Sequence, residues 1–300
     1  MTLDMPTRRQ WPNMKVTSVR SVAAVALLIL VVTPNVWLAL RSIGLILAGR
    51  PAVDWNQYLD ASRRFADGGD LYAVTATYGY HYSPFLAPVF GLLAPLGMVG
   101  WRFLHVAAAT ALPTWPMRLL ALASWPFWFD VEAGNLLIFV VLTAAWALRG
   151  SRLAGFLYLV LLVLIPRPLM IPVALWLLWR NQNLRWPFAI VLMAHSAAVV
   201  LAGFAGPWLL AMLASSGDVA NWSNVGPSRF IGSWWLLIGI PLAIWLTSRG
   251  RVGWASLAAS PYWLPYYLLM PLVELATRRG LALSPQMASP KGAAEEMASP

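Results

Sequence analysis

Two charged residues stand where a charge has chemical use. Asp54 lies in the polar stretch 50–82, and Arg167 sits between Pro166 and Pro168, flanked by the charge-free runs 153–166 and 168–179. A carboxylate within hydrogen-bond reach of a hydroxyl can take its proton as that oxygen attacks, and a guanidinium fork can hold a phosphate as it departs. Each residue also has an ordinary reading. Asp54 opens an amphipathic stretch and suits a helix N-cap, while Arg167 can snorkel to a membrane interface. An arginine amid apolar segments is costly, however, and tends to mark function.

Other candidates surround these two. Asp70 follows Gly68-Gly69 and either shapes a turn or orients a substrate hydroxyl, with Tyr72 beside it. His81 lies between Tyr80 and Tyr82 and is either a packed aromatic or a proton-handling group. Arg229 either caps the next apolar run or assists Arg167, and Asn221-Trp222-Ser223 matches a glycosylation sequon or belongs to a site. His105 and His195 fall within apolar runs, where helix–helix hydrogen bonding is their expected role. Neither an EF-hand loop nor a His-Glu-x-x-His spacing occurs, so no metal or cofactor is expected.

The composition says where these residues must work. Of 300 residues, 60% are hydrophobic and 11% charged, with a mean hydropathy of +0.66. Soluble domains carry about 25% charged residues. The surplus apolar surface must meet lipid, which excludes a soluble enzyme, a disordered chain and, with no cysteine, a disulfide scaffold. Eighteen tryptophans and nine tyrosines suit many membrane–water boundaries. The net charge of +10 comes almost wholly from arginines placed singly or in pairs between apolar runs, as at Arg149/Arg152, Arg180/Arg185, Arg249/Arg251 and Arg278/Arg279. That placement follows the positive-inside rule, with membrane lipid as the partner and no nucleic acid expected.

The chain reads as an all-α polytopic membrane protein. Residues 1–20 form a basic cytoplasmic N-terminus, and 21–40, extending towards Ala48, an uncleaved signal anchor. The loop 50–82 then lies outside and holds four of the eleven acids. Within it, 54–67 reads as an amphipathic helix capped by Asp54, ended by Gly68-Gly69, and laid on the membrane by Tyr58, Ser62 and Phe65. Several later charge-free runs are too short to cross as straight helices and imply broken or re-entrant segments. A broken passage at 103–132, a hairpin at Pro166-Arg167-Pro168 and a second external loop at 206–229 give about nine transmembrane or half-membrane helices. One domain, 21–279, is expected, followed by a Ser/Pro/Ala/Gly-rich disordered tail at 280–300.

The segments Asp54-Trp55-Asn56-Gln57-Tyr58, Gly69-Asp70-Leu71-Tyr72 and Tyr80-His81-Tyr82-Ser83-Pro84-Phe85, followed by Pro88 and Pro95-Leu96, form an ordered set. Over residues 50–96 this set resembles glycosyltransferase family 87, the polyprenol-phosphate-mannose-dependent mannosyltransferases of the GT-C fold. Further on, Gly134-Asn135, Arg167-Pro168 and Asn221-Trp222-Ser223 are similar to that family's Gly-Gln, Lys-Pro and Asn-x-Ser elements. Asparagine stands for glutamine at 135, leucine for proline at 71 and arginine for lysine at 167, and the chain is short for the family.

The resemblance implies a GT-C-like bundle in the plasma membrane with an outward-facing site. It further implies a polyprenyl-phosphate sugar donor, most simply mannose, and a cell-envelope glycolipid or polysaccharide acceptor. Asp54 would be the base, with Arg167 and Arg229 on the phosphate and Asp70, Tyr72, His81, Tyr82 and Asn221 on substrate. One carboxylate suffices for an inverting displacement. Two other classes remain open: a transporter or lipid flippase, which also uses broken helices, and a non-catalytic membrane subunit with the same fold.

Overall fold

A computed structural model describes residues 16–73, 79–215 and 223–277, and among these every regular element is helical. Among the described residues, four helical runs are long and apolar enough to cross a membrane: Leu28–Leu47, Leu86–Thr110, Gln182–Leu201 and Ser228–Ser248. Shorter apolar helices cover Leu137–Leu148, Arg152–Leu164, Pro168–Arg180 and Ala205–Ala214. The protein is thus a helical chain of membrane character.

Helix α1 (Val16–Leu47) leads through Gly49, which adopts a left-handed φ of 76°, into the short amphipathic α2 (Val53–Ala66). The start of α2 differs from the sequence expectation. Ala52 holds the N-cap position without a side-chain cap, and Asp54 lies inside the first turn, so it is not the cap. The apolar face of α2 also turns inwards rather than onto lipid. Trp55, Tyr58, Ala61 and Ser62 are buried, and Phe65 stacks on Phe204. Its main neighbour is α3 (Leu86–Leu93), where Tyr58 stacks on Phe90 at 4.3 Å. Trp55 stacks on Trp101 at 4.7 Å. Each such aromatic pair contributes about 1 kcal/mol beyond area burial.

A 3₁₀ turn, Ala94–Leu96, joins α3 to α4 (Gly97–Thr110) as one run. The charge at 102 therefore does not divide two segments. Arg102 is buried within α4 and donates from Nη2 to the Arg50 carbonyl at 2.6 Å. The broken passage expected at 103–132 starts later, because residues 103–110 complete α4; the break lies between α5 (Trp115–Leu122) and α6 (Trp125–Ala133), each with proline in its first turn. Asn35 of α1 clamps their junction, accepting from the Trp125 N–H and donating to the Ala123 carbonyl.

From α7 (Leu137–Leu148) the chain turns at Gly150 into α8 (Arg152–Leu164), bends at Ile165–Arg167, and returns through the 3₁₀ turn Pro168–Met170 and α9 (Ile171–Arg180). The hairpin expected at Pro166-Arg167-Pro168 is present. The charge-free run 186–217, by contrast, is broken at Gly203 into α10 (Arg185–Leu201) and α11 (Ala205–Ser215). Helix α11 therefore occupies the first part of the expected second external loop. Asn221 and the 280–300 tail lie outside the described residues.

A short α12 (Ser228–Ile231) leads through a 3₁₀ turn, Gly232–Trp234, into α13 (Trp235–Ser248). After α14 (Val252–Ala259), an aromatic 3₁₀ segment (Pro265–Val273) packs on α6, α7 and α14 and ends in α15 (Glu274–Thr277). The turns carrying Arg149, Arg180 and Arg249 gather at one end of the bundle. Leu184 abuts Gly155 in the first turn of α8, and Gly250 abuts the Trp176 ring. Arg167 lies at the other end, one length of α8 away, roughly 20 Å at 1.5 Å per residue.

Candidate functional site

A cavity of about 200 Å³ opens where the start of α2, the 79–85 connector, the end of α6, the α8–α9 bend and the 262–266 segment converge. Asp54, His81, Tyr82 and Arg167 all line it. Four residues chosen from three separate stretches of sequence therefore meet in space.

The left-handed end of α6 makes the convergence possible. Gly134 has φ of 72°, and a Cβ there would stand 3.0 Å from the Cβ atoms of both Ala52 and Trp55. Only glycine lets the first turn of α2 press this close. The Gly134 carbonyl accepts from Trp101 Nε1 at 3.0 Å, and the next carbonyl, Asn135, lies 2.6 Å from His105 Nε2. With its backbone held, Asn135 donates from Nδ2 to Asp54 Oδ2 at 2.6 Å and approaches the Tyr58 hydroxyl at 3.4 Å.

The polar chain continues across the cavity. The Tyr58 and Tyr82 hydroxyls are 3.3 Å apart. Arg167 donates from Nη2 to the Tyr82 hydroxyl and from Nη1 to the Tyr267 hydroxyl. Its guanidinium also lies over both rings, 5.1 Å and 5.6 Å from their centroids. Among the described residues Arg167 has no carboxylate within ion-pair distance, so hydroxyls solvate the cation without neutralising it. An uncompensated positive charge facing a cavity attracts an anion.

Burial pushes the Asp54 carboxyl above the usual carboxylate range, while the Asn135 hydrogen bond and the Arg167 charge hold it back. A base shifted this way binds a proton more readily than an exposed carboxylate. His81 moves the other way: burial and then the Arg167 charge lower it to about 4, so its ring is neutral at pH 7. Its backbone carbonyl accepts from Trp208 Nε1, which ties the connector to α11.

A second carboxylate, Glu132, also reaches the cavity wall but is engaged. Oε2 accepts from Ser42 Oγ at 2.7 Å and Oε1 from Arg50 Nη1 at 2.9 Å. Asp54 is thus the less committed acid of the two.

Not every candidate is at the cavity. Asp70 is exposed and accepts from the Tyr72 N–H at 3.0 Å in a local turn. Tyr72 donates to the Tyr82 carbonyl, supporting the cavity from behind. Arg229 is exposed in α12 and does not line it. His195 pairs with Ser83 Oγ at 2.7 Å between α10 and the connector. Ser223, two residues after Asn221, does reach the lining.

Sequence reasoning missed Tyr58, Asn135, Tyr262, Tyr266 and Tyr267 as parts of this centre. A signal existed for the last three, since tyrosines interleaved with prolines inside an apolar run need partners for their hydroxyls. No group of three or more potential metal ligands occurs among the described residues. The chain matches no family model, no curated protein and no solved structure.

Proposed function

We propose that this protein is an integral membrane glycosyltransferase of the GT-C type, moving a sugar from a polyprenyl-phosphate donor to a cell-envelope glycolipid or polysaccharide acceptor. The observation that carries the reading is the facing of Asp54 and Arg167 across one cavity, a raised carboxylate opposite an arginine without an acid partner. In this mechanism the acceptor hydroxyl gives its proton to Asp54 as its oxygen attacks the anomeric carbon. The bond from that carbon to the phosphate oxygen breaks, and the departing phosphate takes its charge to Arg167. The commitment of Glu132 to Ser42 and Arg50 leaves Asp54 as the one carboxylate at the cavity without a cation paired to it, which favours inversion over a double displacement. Asn135 aims Asp54, and the Tyr82 and Tyr267 hydroxyls aim the arginine fork. Mannose is the simplest donor sugar, and the plasma membrane with the cavity outward is the location this chemistry needs.

The test compares lipid-linked glycans by mass spectrometry in a strain lacking the gene, complemented with the natural protein or with Asp54→Asn at equal membrane levels. The natural protein restores a species one sugar larger and the variant does not. Equal restoration by both removes Asp54 as the base. No glycan change in either strain favours a transporter or a non-catalytic subunit.

A further inference from the structure

A second concavity shares no lining residue with the cavity. It is a groove of about 700 Å³ between α9 and α13, walled by Ile171, Leu175, Trp179, Ile240 and Ile244. The hydroxyls at its far end serve their own helix: Thr247 Oγ1 donates to the Ala243 carbonyl and Ser248 Oγ to that of Trp245. The walls therefore offer a guest no free polar group, and only an apolar chain fits along them.

The mouth differs from the walls. Arg180, the last residue of α9, stacks over Trp176 at 4.7 Å and Trp179 at 5.2 Å. Arg249, just past α13, stacks over Trp245 at 5.1 Å. Gly250 brings this turn to the mouth, because a Cβ on it would stand 3.2 Å from the same Trp176 ring that carries Arg180. Among the described residues neither arginine has a carboxylate within ion-pair distance. A guanidinium stacked on an indole keeps its N–H edge free, and that edge matches a phosphate. The near end of the groove has no such group, since the adjacent Arg167 turns its fork to Tyr82 and Tyr267 on the cavity side.

We infer that this groove binds an anionic phospholipid, with an acyl chain along α9 and α13 and the headgroup phosphate between Arg180 and Arg249. The charge at the mouth selects the headgroup, and the apolar walls hold the tail. The site is separate from the proposed transferase cavity and stands or falls independently of it.

Native mass spectrometry of the purified, delipidated protein tests the assignment, using equimolar dioleoyl phosphatidylglycerol and dioleoyl phosphatidylcholine as competing probes. The natural protein retains phosphatidylglycerol preferentially, by about fivefold for each arginine engaged. Arg180→Gln with Arg249→Gln brings the preference close to one, whereas Arg180→Lys with Arg249→Lys keeps most of it and controls for folding. Ile240→Trp, which fills the groove from an exposed position, lowers retention of both lipids. Equal retention of the two lipids by the natural protein overturns the inference, as does a preference that survives the double glutamine variant. Displacement of phosphatidylglycerol by undecaprenyl phosphate, abolished by Arg167→Gln, would reassign the groove to a polyprenyl tail.

Discussion

Arg167 and Arg180 bracket one helical run, Pro168–Arg180, and share a side chain but not an environment. The first is turned into a polar chain of tyrosine hydroxyls that ends at Asn135 and Asp54. The second lies on the open faces of two tryptophans. At the Arg167 end the protein has built a fixed solvent for the cation, which holds the fork in one direction before any anion arrives. At the Arg180 end the indoles support the alkyl stem and leave the head to the interface. Preorganisation of this kind is worth most where charge develops during a reaction. The contrast teaches that the partners at the guanidinium, and not the apolar run the two arginines share, decide what each can do.

The largest effect that would break the contrast is on turnover. In proteoliposomes supplied with a polyprenyl-phosphate sugar, Asp54→Asn lowers the rate by about 10²–10⁴-fold, as for loss of a general base. Arg180→Gln leaves the rate near that of the natural protein. An equal loss in both variants would erase the distinction between the ends. Next in size is Arg167→Lys, which keeps the charge but loses the two-pronged fork; a fall of about 10²-fold is expected in the same assay.

Two glycines sharpen the contrast through stability. Gly134 and Gly150 both have positive φ, but only Gly134 has neighbours where a Cβ would go. Alanine at 150 costs the backbone penalty alone, about 1–2 kcal/mol. Alanine at 134 adds overpacking against Ala52 and Trp55, for a total of about 2–4 kcal/mol. Denaturation of the detergent-solubilised variants measures both, and equal costs would mean that α2 can yield without loss.

The smallest effects concern protons. With His81 at about 4, His81→Gln leaves the shape of the pH–rate profile between pH 5 and 8 unchanged, and the acid limb belongs to Asp54. The sign for stability follows from the upward shift at Asp54. The folded state holds that proton more tightly than the unfolded chain, so its contribution is complete below the unfolded value of about 3.9 and is lost as pH rises through the folded one. Asp54→Asn lacks this loss. Its stability relative to the natural protein therefore improves as pH rises from about 4 towards neutrality, and a flat difference across that range would contradict the raised carboxyl.

Much of the frame was legible in the sequence because it follows from period and composition. The helical membrane character, the amphipathic helix before Gly68 and the hairpin around Arg167 all come from local pattern. The failures share one cause, a partner remote in sequence. The passage drawn from 103 began too early because Arg102 finds its partner, the Arg50 carbonyl, on another segment. Asp54 suited an N-cap until Asn135 stood beside it. Ser62 and Tyr58 formed a face, but only the approach of α3 decides that the face meets protein and not lipid. Of the centre itself, Asp54, His81, Tyr82 and Arg167 were readable by type and place. The tyrosines at 262, 266 and 267 were hidden inside what reads as one more apolar crossing.

The 3₁₀ segment that contributes Tyr267 has a consequence in time. A chain made from its N-terminus delivers α2, the connector and the Arg167 bend long before residues 262–267 emerge. Until that late piece docks on α6 and α7, Arg167 lacks one of its two hydroxyl partners and the cavity lacks a wall. Closing contacts of such long sequence separation is slow. The centre is thus completed last, and a newly inserted chain passes through an interval in which it holds its helices but not yet its site.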